Sequence, residues 1–191
     1  MNEIKGSRTE KNLLTAFAGE SQGRNRYTFY ASQAKKEGFH QIAEAFLVAA
    51  ENEREHARKL YSFLGGSGNI EINASFPADA IGTTRENLAF AIANERMEYE
   101  VTYPENAKIA QEEGFKQIAD VFFLIAEIEK YHEKRFSQLL KNLESNRLYI
   151  RERISKWQCI NCGYVHEVAN APDNCSLCEA PKSQFTLLFE E

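Results

Sequence analysis

Cys159, Cys162, Cys175 and Cys178 are the chain's only cysteines, set as two Cys-x2-Cys pairs twelve residues apart. Thiolates at this spacing suit a tetrahedral ion, and iron and zinc both accept such a site. A different chemistry is written in Glu53 with His56 and in Glu129 with His132, each a Glu-x-x-His step. On a helix that step puts carboxylate and imidazole on one face, as a dinuclear carboxylate site requires. Glu20, Glu95 and Glu98 offer further acids.

Helices must position these groups. Ser7 with Glu10 reads as a capping box that opens a helix stopping at Gly38. A second helix spans about Phe39 to Leu64 and ends at Gly65-Gly66. A third runs from Thr84 to Gly114, with Pro104 expected to bend it near Glu100, and a fourth covers Phe115 to Asn146. Short loops inside each pair and a long connection over 65–83 predict a mainly α protein, a ferritin-like four-helix bundle with one crossover. The connection's length leaves open whether it joins helices of one chain or passes a pair to a neighbour.

Ala34–Leu64 aligns without a gap on Ala110–Leu140, which sets Glu53 and His56 on Glu129 and His132. Such a repeat establishes two similar hairpins and no more. The chemistry emerges from the apolar stripes: Leu13, Phe17, Glu20, Arg24, Tyr27; Ile42, Phe46, Glu53, His56, Leu60; Leu88, Ile92, Glu95, Glu98; Phe122, Ile125, Glu129, His132, Phe136. Each stripe carries an acid near its middle. Five inward carboxylates cannot stay ionised without compensation, and two cations would offset most of their charge. Glu51, Glu55, Glu112, Glu113, Glu127 and Glu133 read instead as solvated or ion-paired acids, and His40 as exposed. Glu98 has no acid counterpart, since matching Glu95 to Glu20 sets it opposite Gly23. Tyr27 and Tyr103 read as core aromatics whose hydroxyls need partners, with a ligating carboxylate in reach.

The 191 residues, 21.8 kDa in all, suffice for one ordinary domain and a small second unit. We place the bundle at 1–150 and the metal-binding tail at 154–191, with the boundary at Arg151 to Ser155. Apolar residues at 43% and charged residues at 27% exclude disorder throughout. A net charge of −5 argues against a nucleic-acid partner. Apolar runs such as Ala45–Ala50 are too short to cross a membrane, and the start lacks an export core, so a cytoplasmic protein is expected. A disulfide reading loses ground there, and a tail too small to bury its own core needs a metal staple. Trp157, Tyr164 and Phe185 are its expected aromatic core, with His166 on its surface.

With both units in view, the whole chain resembles the rubrerythrin family: a ferritin-like di-iron bundle followed by a rubredoxin-like iron centre. Glu20, Glu53-Arg-Glu-His56, Glu95-Arg-Met-Glu98, Glu129-Lys-Tyr-His132, Cys159-Ile-Asn-Cys162-Gly-Tyr and Cys175-Ser-Leu-Cys178 carry the resemblance. It implies bridging carboxylates at Glu53 and Glu129, Glu20 on one iron, and Glu95 with His132 on the other. Glu98 and His56 would alternate on the first iron, carboxylate when oxidised and imidazole when reduced, matching hard ferric to oxygen and ferrous to nitrogen. Tyr27 and Tyr103 match tyrosines that hydrogen-bond the ligands. Ser176 stands where relatives usually have proline, and Glu179 where simple rubredoxins have glycine.

The resemblance implies a peroxidase that reduces hydrogen peroxide to water in the oxidative-stress defence of an air-sensitive microbe. Electrons would arrive from NAD(P)H through a separate donor, a rubredoxin or a flavoprotein reductase, and pass through the Fe(Cys)4 tail. A head-to-tail homodimer is implied too. Two rival readings are iron storage by a ferroxidase and a zinc-ribbon module on a structural bundle. A dedicated thiolate donor argues against the first, and the inward acids against the second. Zinc could still replace iron in isolated protein.

Overall fold

The computed structural model describes residues 3–66 and 68–188. Met1, Asn2, Ser67 and residues 189–191 lie outside it, and with them part of the segment read for export, one crossover residue and the tail's end. Among the described residues the helices are α1 (Arg8–Lys36), α2 (His40–Tyr61), α3 (Thr84–Met97), α4 (Tyr103–Glu112) and α5 (Lys116–Glu144). A π-helical turn, Glu98–Thr102, joins α3 to α4, so these two form one interrupted helix and the bundle has four. Segment 68–82 crosses between the pairs without regular structure, linking helices of one bundle.

Local chemistry explains the boundaries. Ser7 Oγ accepts the Glu10 N–H at 3.0 Å, and the Glu10 carboxylate accepts the Gly6 N–H at 2.7 Å. Thr83 and Glu86 form a full capping box at the start of α3. α2 stops at Tyr61, short of the expected Leu64, which stays buried in the turn that follows. Pro104 does interrupt the third helix, but as a wound-in residue rather than a simple bend: the Tyr103 N–H reaches back to the Glu98 carbonyl. Glu20 to Tyr27 is one residue shorter than Glu95 to Tyr103, and the π turn takes up that extra residue.

The repeated Glu-Gly-Phe turns do two jobs. Gly38 (φ 81°) and Gly114 (φ 84°) supply left-handed stops, closed by Phe39 N–H on Ala34 O and Phe115 N–H on Ala110 O, both 2.8 Å. The glutamates then cap helices of the opposite half. Glu37 accepts the Thr84 N–H at the start of α3. Glu113 accepts the N–H groups of Arg8 and Thr9, at 3.2 and 2.9 Å, and the Thr9 hydroxyl at 2.6 Å. Glu113 is ion-paired as expected, with Arg8 at 3.2 Å, and that contact with the Thr9 cap ties the two hairpins together. Partial burial opposes its charge, yet the Thr9 and Arg8 donors prevail and hold its carboxyl down at about 2. Glu113→Ala is expected to remove about 1–2 kcal/mol of stability, read as a lower urea midpoint at pH 7. The gap should vanish as pH falls through the depressed carboxyl's range, because protonation removes the same cap.

Two apolar clusters fill the bundle. Tyr27, Phe46, Leu88 and Phe136 belong to one; Leu13, Leu60, Tyr103 and Phe122 to the other. Along each helix the acids fall between them. Arg24, read as part of the first stripe, is exposed, and Gly23 and Arg26 are buried instead. The tail is an antiparallel sheet of β1 (Ile150–Cys159), β2 (Val165–Asn170) and β3 (Phe185–Leu187) in the order β2-β1-β3. Trp157 and Phe185 are fully buried there. Tyr164 is 47% exposed and so is not core, while half-buried His166 packs edge-on between it and Phe185. His40 is not free on the surface either: Gln184 Nε2 donates to its Nε2 at 3.0 Å, joining the tail to α2. No described helix is long and apolar enough to cross a membrane.

Candidate metal centres

In the bundle, Glu20, Glu53, His56 and Glu129 each bring a ligand atom within 4.8 Å of the others, and so do Glu53, Glu95, Glu129 and His132. Glu53 and Glu129 belong to both groups. Glu20, Glu53, Glu95 and Glu129 are at most 2% exposed. His56 Nδ1 lies 3.0 Å from Glu129 Oε1 and 3.3 Å from Glu20 Oε2; His132 Nδ1 lies 2.8 Å from Glu129 Oε2 and 3.3 Å from Glu53 Oε1. Close as they are, both Nδ1 atoms and both Glu129 oxygens lack a properly directed hydrogen bond. Donor atoms that crowd together without bonding to one another converge on shared centres, and that is how the set fits two cations.

Electrostatics agrees. Burial, then the Glu129 charge, pushes the Glu53 carboxyl up to about 7. Burial lifts Glu95 well above the carboxylate range too, as it does Glu98, with Glu95, Glu53 and Glu129 adding to it there. Burial acts against His132, but the carboxylates of Glu129, Glu53 and Glu95 outweigh it and raise the imidazole to about 12. Glu129 keeps a lowered carboxyl against burial because His132 and His56 face it. Protons do here what cations do better.

The tyrosines pair across the halves. Tyr27 on α1 donates to Glu95, and Tyr103 on α4 donates to Glu20. The first helix and the interrupted α3–α4 helix therefore each orient an acid of the other. Glu98, on the first residue of the π turn, is half-buried and stands outside both four-residue groups. Asn52 has no signature in the sequence: His132 Nε2–H donates to its Oδ1 at 3.2 Å, which leaves Nδ1 facing the acids. In the repeat Asn52 sits opposite Ile128, so internal symmetry could not flag it. Glu127 is exposed, and Glu51, Glu55, Glu112 and Glu133 pair with arginines.

In the tail the four sulfurs of Cys159, Cys162, Cys175 and Cys178 also lie within 4.8 Å of one another. Matching turns hold them, with Gly163 N–H on Cys159 O at 2.8 Å and Glu179 N–H on Cys175 O at 2.9 Å. Both turns need a left-handed residue. Gly163 (φ 79°) takes it freely, whereas Glu179 (φ 61°) takes it at a cost of roughly 1 kcal/mol. Asn161, a second residue the sequence reading passed over, donates Nδ2–H to Cys178 Sγ at 3.4 Å. That contact, first among several, lowers the Cys178 thiol to about 6.

Paired Glu-x-x-His steps and facing acids inside four antiparallel helices define the ferritin-like carboxylate proteins that hold two metal ions. The chain matches the family model described as Rubrerythrin over residues 11–149 and that described as Rubrerythrin, rubredoxin-like domain over 157–186. It belongs to the rubrerythrin family. Relatives include the rubrerythrin of Nitratidesulfovibrio vulgaris, 53% identical over 98% of each chain. Rubrerythrin-1 of Clostridium acetobutylicum is 47% identical, covering 100% of this chain and 99% of its own length. The solved structure of fully reduced, all-ferrous nigerythrin superposes with a TM-score of 0.64 at 26% identity, covering 98% of this chain and 92% of that one. Two irons in the bundle and one in the thiolate site are the cofactors that follow.

Proposed function

We propose that the protein is a peroxidase that reduces hydrogen peroxide to water. The observation that carries this reading is the pair of buried donor groups sharing Glu53 and Glu129, in one chain with a four-thiolate centre. The bundle site would be held by Glu53 and Glu129 as bridges, by Glu20 and His56 on one side, and by Glu95 and His132 on the other. Bound iron would supply the redox chemistry, electron transfer at the bundle pair and at the thiolate centre.

The chain's own groups supply the rest. Peroxide takes up two electrons and two protons, its O–O bond breaks, and two waters leave. Tyr27 and Tyr103 hold Glu95 and Glu20 in place by hydrogen bonds, and Asn52 fixes the His132 tautomer. Glu98 is placed to hand over a proton, since burial keeps its carboxyl well above the usual range. His56 lies inside the cluster with Glu98 outside it, an arrangement that supports exchange of the two with oxidation state. The bundle at 1–150 and the tail at 154–191 thus divide catalysis and electron delivery. A head-to-tail homodimer, in which one tail serves the other bundle, a donor such as a rubredoxin or an NAD(P)H-linked flavoprotein reductase, and a cytoplasmic role in oxidative stress complete the reading.

The test is spectroscopic. Iron-loaded protein, bleached anaerobically by a reductant, should regain its ferric-thiolate colour rapidly with peroxide and slowly with dioxygen. Equal rates would favour a ferroxidase, and a protein that stays colourless after iron loading and keeps only zinc would remove the reading. Glu98→Ala is expected to slow turnover by about 100-fold, within the range for a lost proton donor, while the tail keeps its colour. Unchanged turnover would cancel the role assigned to Glu98.

A further inference from the structure

Glu20, Glu53, Glu95 and Glu129 are at most 2% exposed, so a reactant needs a route to them. A cleft of about 460 Å³ opens between α1, the α3–α4 helix and the crossover. Glu98 and Tyr103 form part of its wall, and Tyr103 reaches the cluster through its hydrogen bond to Glu20. Among the described residues, three other clefts are lined neither by Glu98 nor by Tyr27 or Tyr103.

The wall suits a small, oxygen-rich visitor. Gly19 leaves room, since a Cβ there would meet only Phe76, at 3.7 Å. Gln22 Nε2–H donates to Pro77 O at 2.6 Å and so ties the crossover down over α1. Arg26 also lines the cleft, only 9% exposed; its guanidinium lies beside the Tyr30 hydroxyl and 6.0 Å from the Tyr27 ring centre, and its Nε and Nη1 make no well-directed hydrogen bond among the described residues. Buried N–H donors without acceptors are unfavourable, and a peroxide oxygen accepts from them. On the solvent side stand Ala93 and Met97, both exposed.

We propose that this cleft is the path by which a small hydroperoxide reaches the bundle site, with Arg26 as a positioning donor along it and Ala93 and Met97 setting its width. The inference rests on the peroxidase reading and adds to it a route and a size limit. It predicts that bulk at position 93 slows entry, and that trimming position 97 admits larger peroxides.

The experiment uses the full iron-loaded protein and two variants at exposed positions, Ala93→Phe and Met97→Ala. For Ala93→Phe, kcat/KM for hydrogen peroxide should fall about tenfold with kcat at saturation little changed, as for a lost encounter step. The rate at which nitric oxide binds the reduced protein, followed by absorbance, should fall in parallel without any turnover. Met97→Ala should raise kcat/KM for tert-butyl hydroperoxide relative to hydrogen peroxide. Arg26→Met should raise KM and spare kcat, with Arg26→Lys restoring part of the loss. Wild-type rates for both peroxide and nitric oxide in Ala93→Phe would overturn the route. A wild-type protein that leaves peroxide intact, while Ala93→Phe still slows nitric oxide, would uphold the route and overturn the peroxidase reading alone.

Discussion

Cys175→Ala is expected to bleach the protein and end sustained peroxide reduction, while a single dose of peroxide still oxidises the bundle. Cys175 is 2% exposed, its sulfur lies 3.6 Å from that of Cys162, and its carbonyl and N–H anchor the second turn through Glu179 and Ala180. Removing it takes away a quarter of the donor set and leaves three thiolates facing one another. The rest of the tail cannot compensate, because its buried apolar content is little more than Trp157, Ala171, Ala180 and Phe185. For so small a unit, metal binding and folding are one equilibrium, and losing the ion unfolds the tail. The bundle has its own two apolar clusters and should melt as before. Metal analysis should find one iron fewer per chain, visible absorbance should lose its thiolate bands, and stopped-flow should show one turnover where the wild type shows many. Sustained turnover in this variant would mean that electrons bypass the tail.

What could be read ahead of the structure was whatever has a local signature. Cysteine pairs announce a tetrathiolate because the ligand spacing lies within a single turn. Glu53-x-x-His56 and Glu129-x-x-His132 announce a shared face because a helix converts spacing directly into direction. Glu-Gly-Phe announced a turn, but not that Glu37 and Glu113 would cap helices far away in the chain, since that depends on how the hairpins are set together. The crossed pairs Tyr27–Glu95 and Tyr103–Glu20 are hidden for the same reason: along the chain, each tyrosine is nearer the acid it does not touch. Steps of three and four from Glu20 allow Arg24 to face inward, but the helix turns Gly23 and Arg26 in and Arg24 out. The π turn left a trace, a repeat one residue out of step between Glu95 and Tyr103, but a count cannot tell a π turn from a kink. Asn52 and Asn161 have no counterpart or motif, and only proximity to a ligand reveals them.

Stripping the iron with a chelator is expected to lower the melting temperature, and to lower it further at pH 8 than at pH 5. Without cations the bundle must keep Glu20, Glu53, Glu95 and Glu129 away from water beside two imidazoles. Burial and then Glu129 raise Glu53 to about 7, so the folded chain holds a proton that the unfolded chain releases near its ordinary carboxylate value. That preference stabilises the stripped fold fully below the ordinary value and is lost as pH rises to about 7. His132 acts in the same sense: despite burial, its three carboxylate neighbours raise it to about 12, and its contribution, complete below the ordinary imidazole value, declines above it. Glu129, held low, works the other way, but its contribution fails only in acid, outside this window. Between pH 5 and 8 the stripped protein should therefore lose on the order of 3 kcal/mol, or roughly 5–10 °C for a chain of this size. The loaded protein follows the opposite slope, because iron binds the deprotonated donors and its affinity rises with pH. Calorimetric melts of both forms at pH 5, 6.5 and 8 measure the gap. A gap that widens with pH places the acids together around the metal; one that narrows would mean that they do not share a buried site, and the di-iron assignment would go with it.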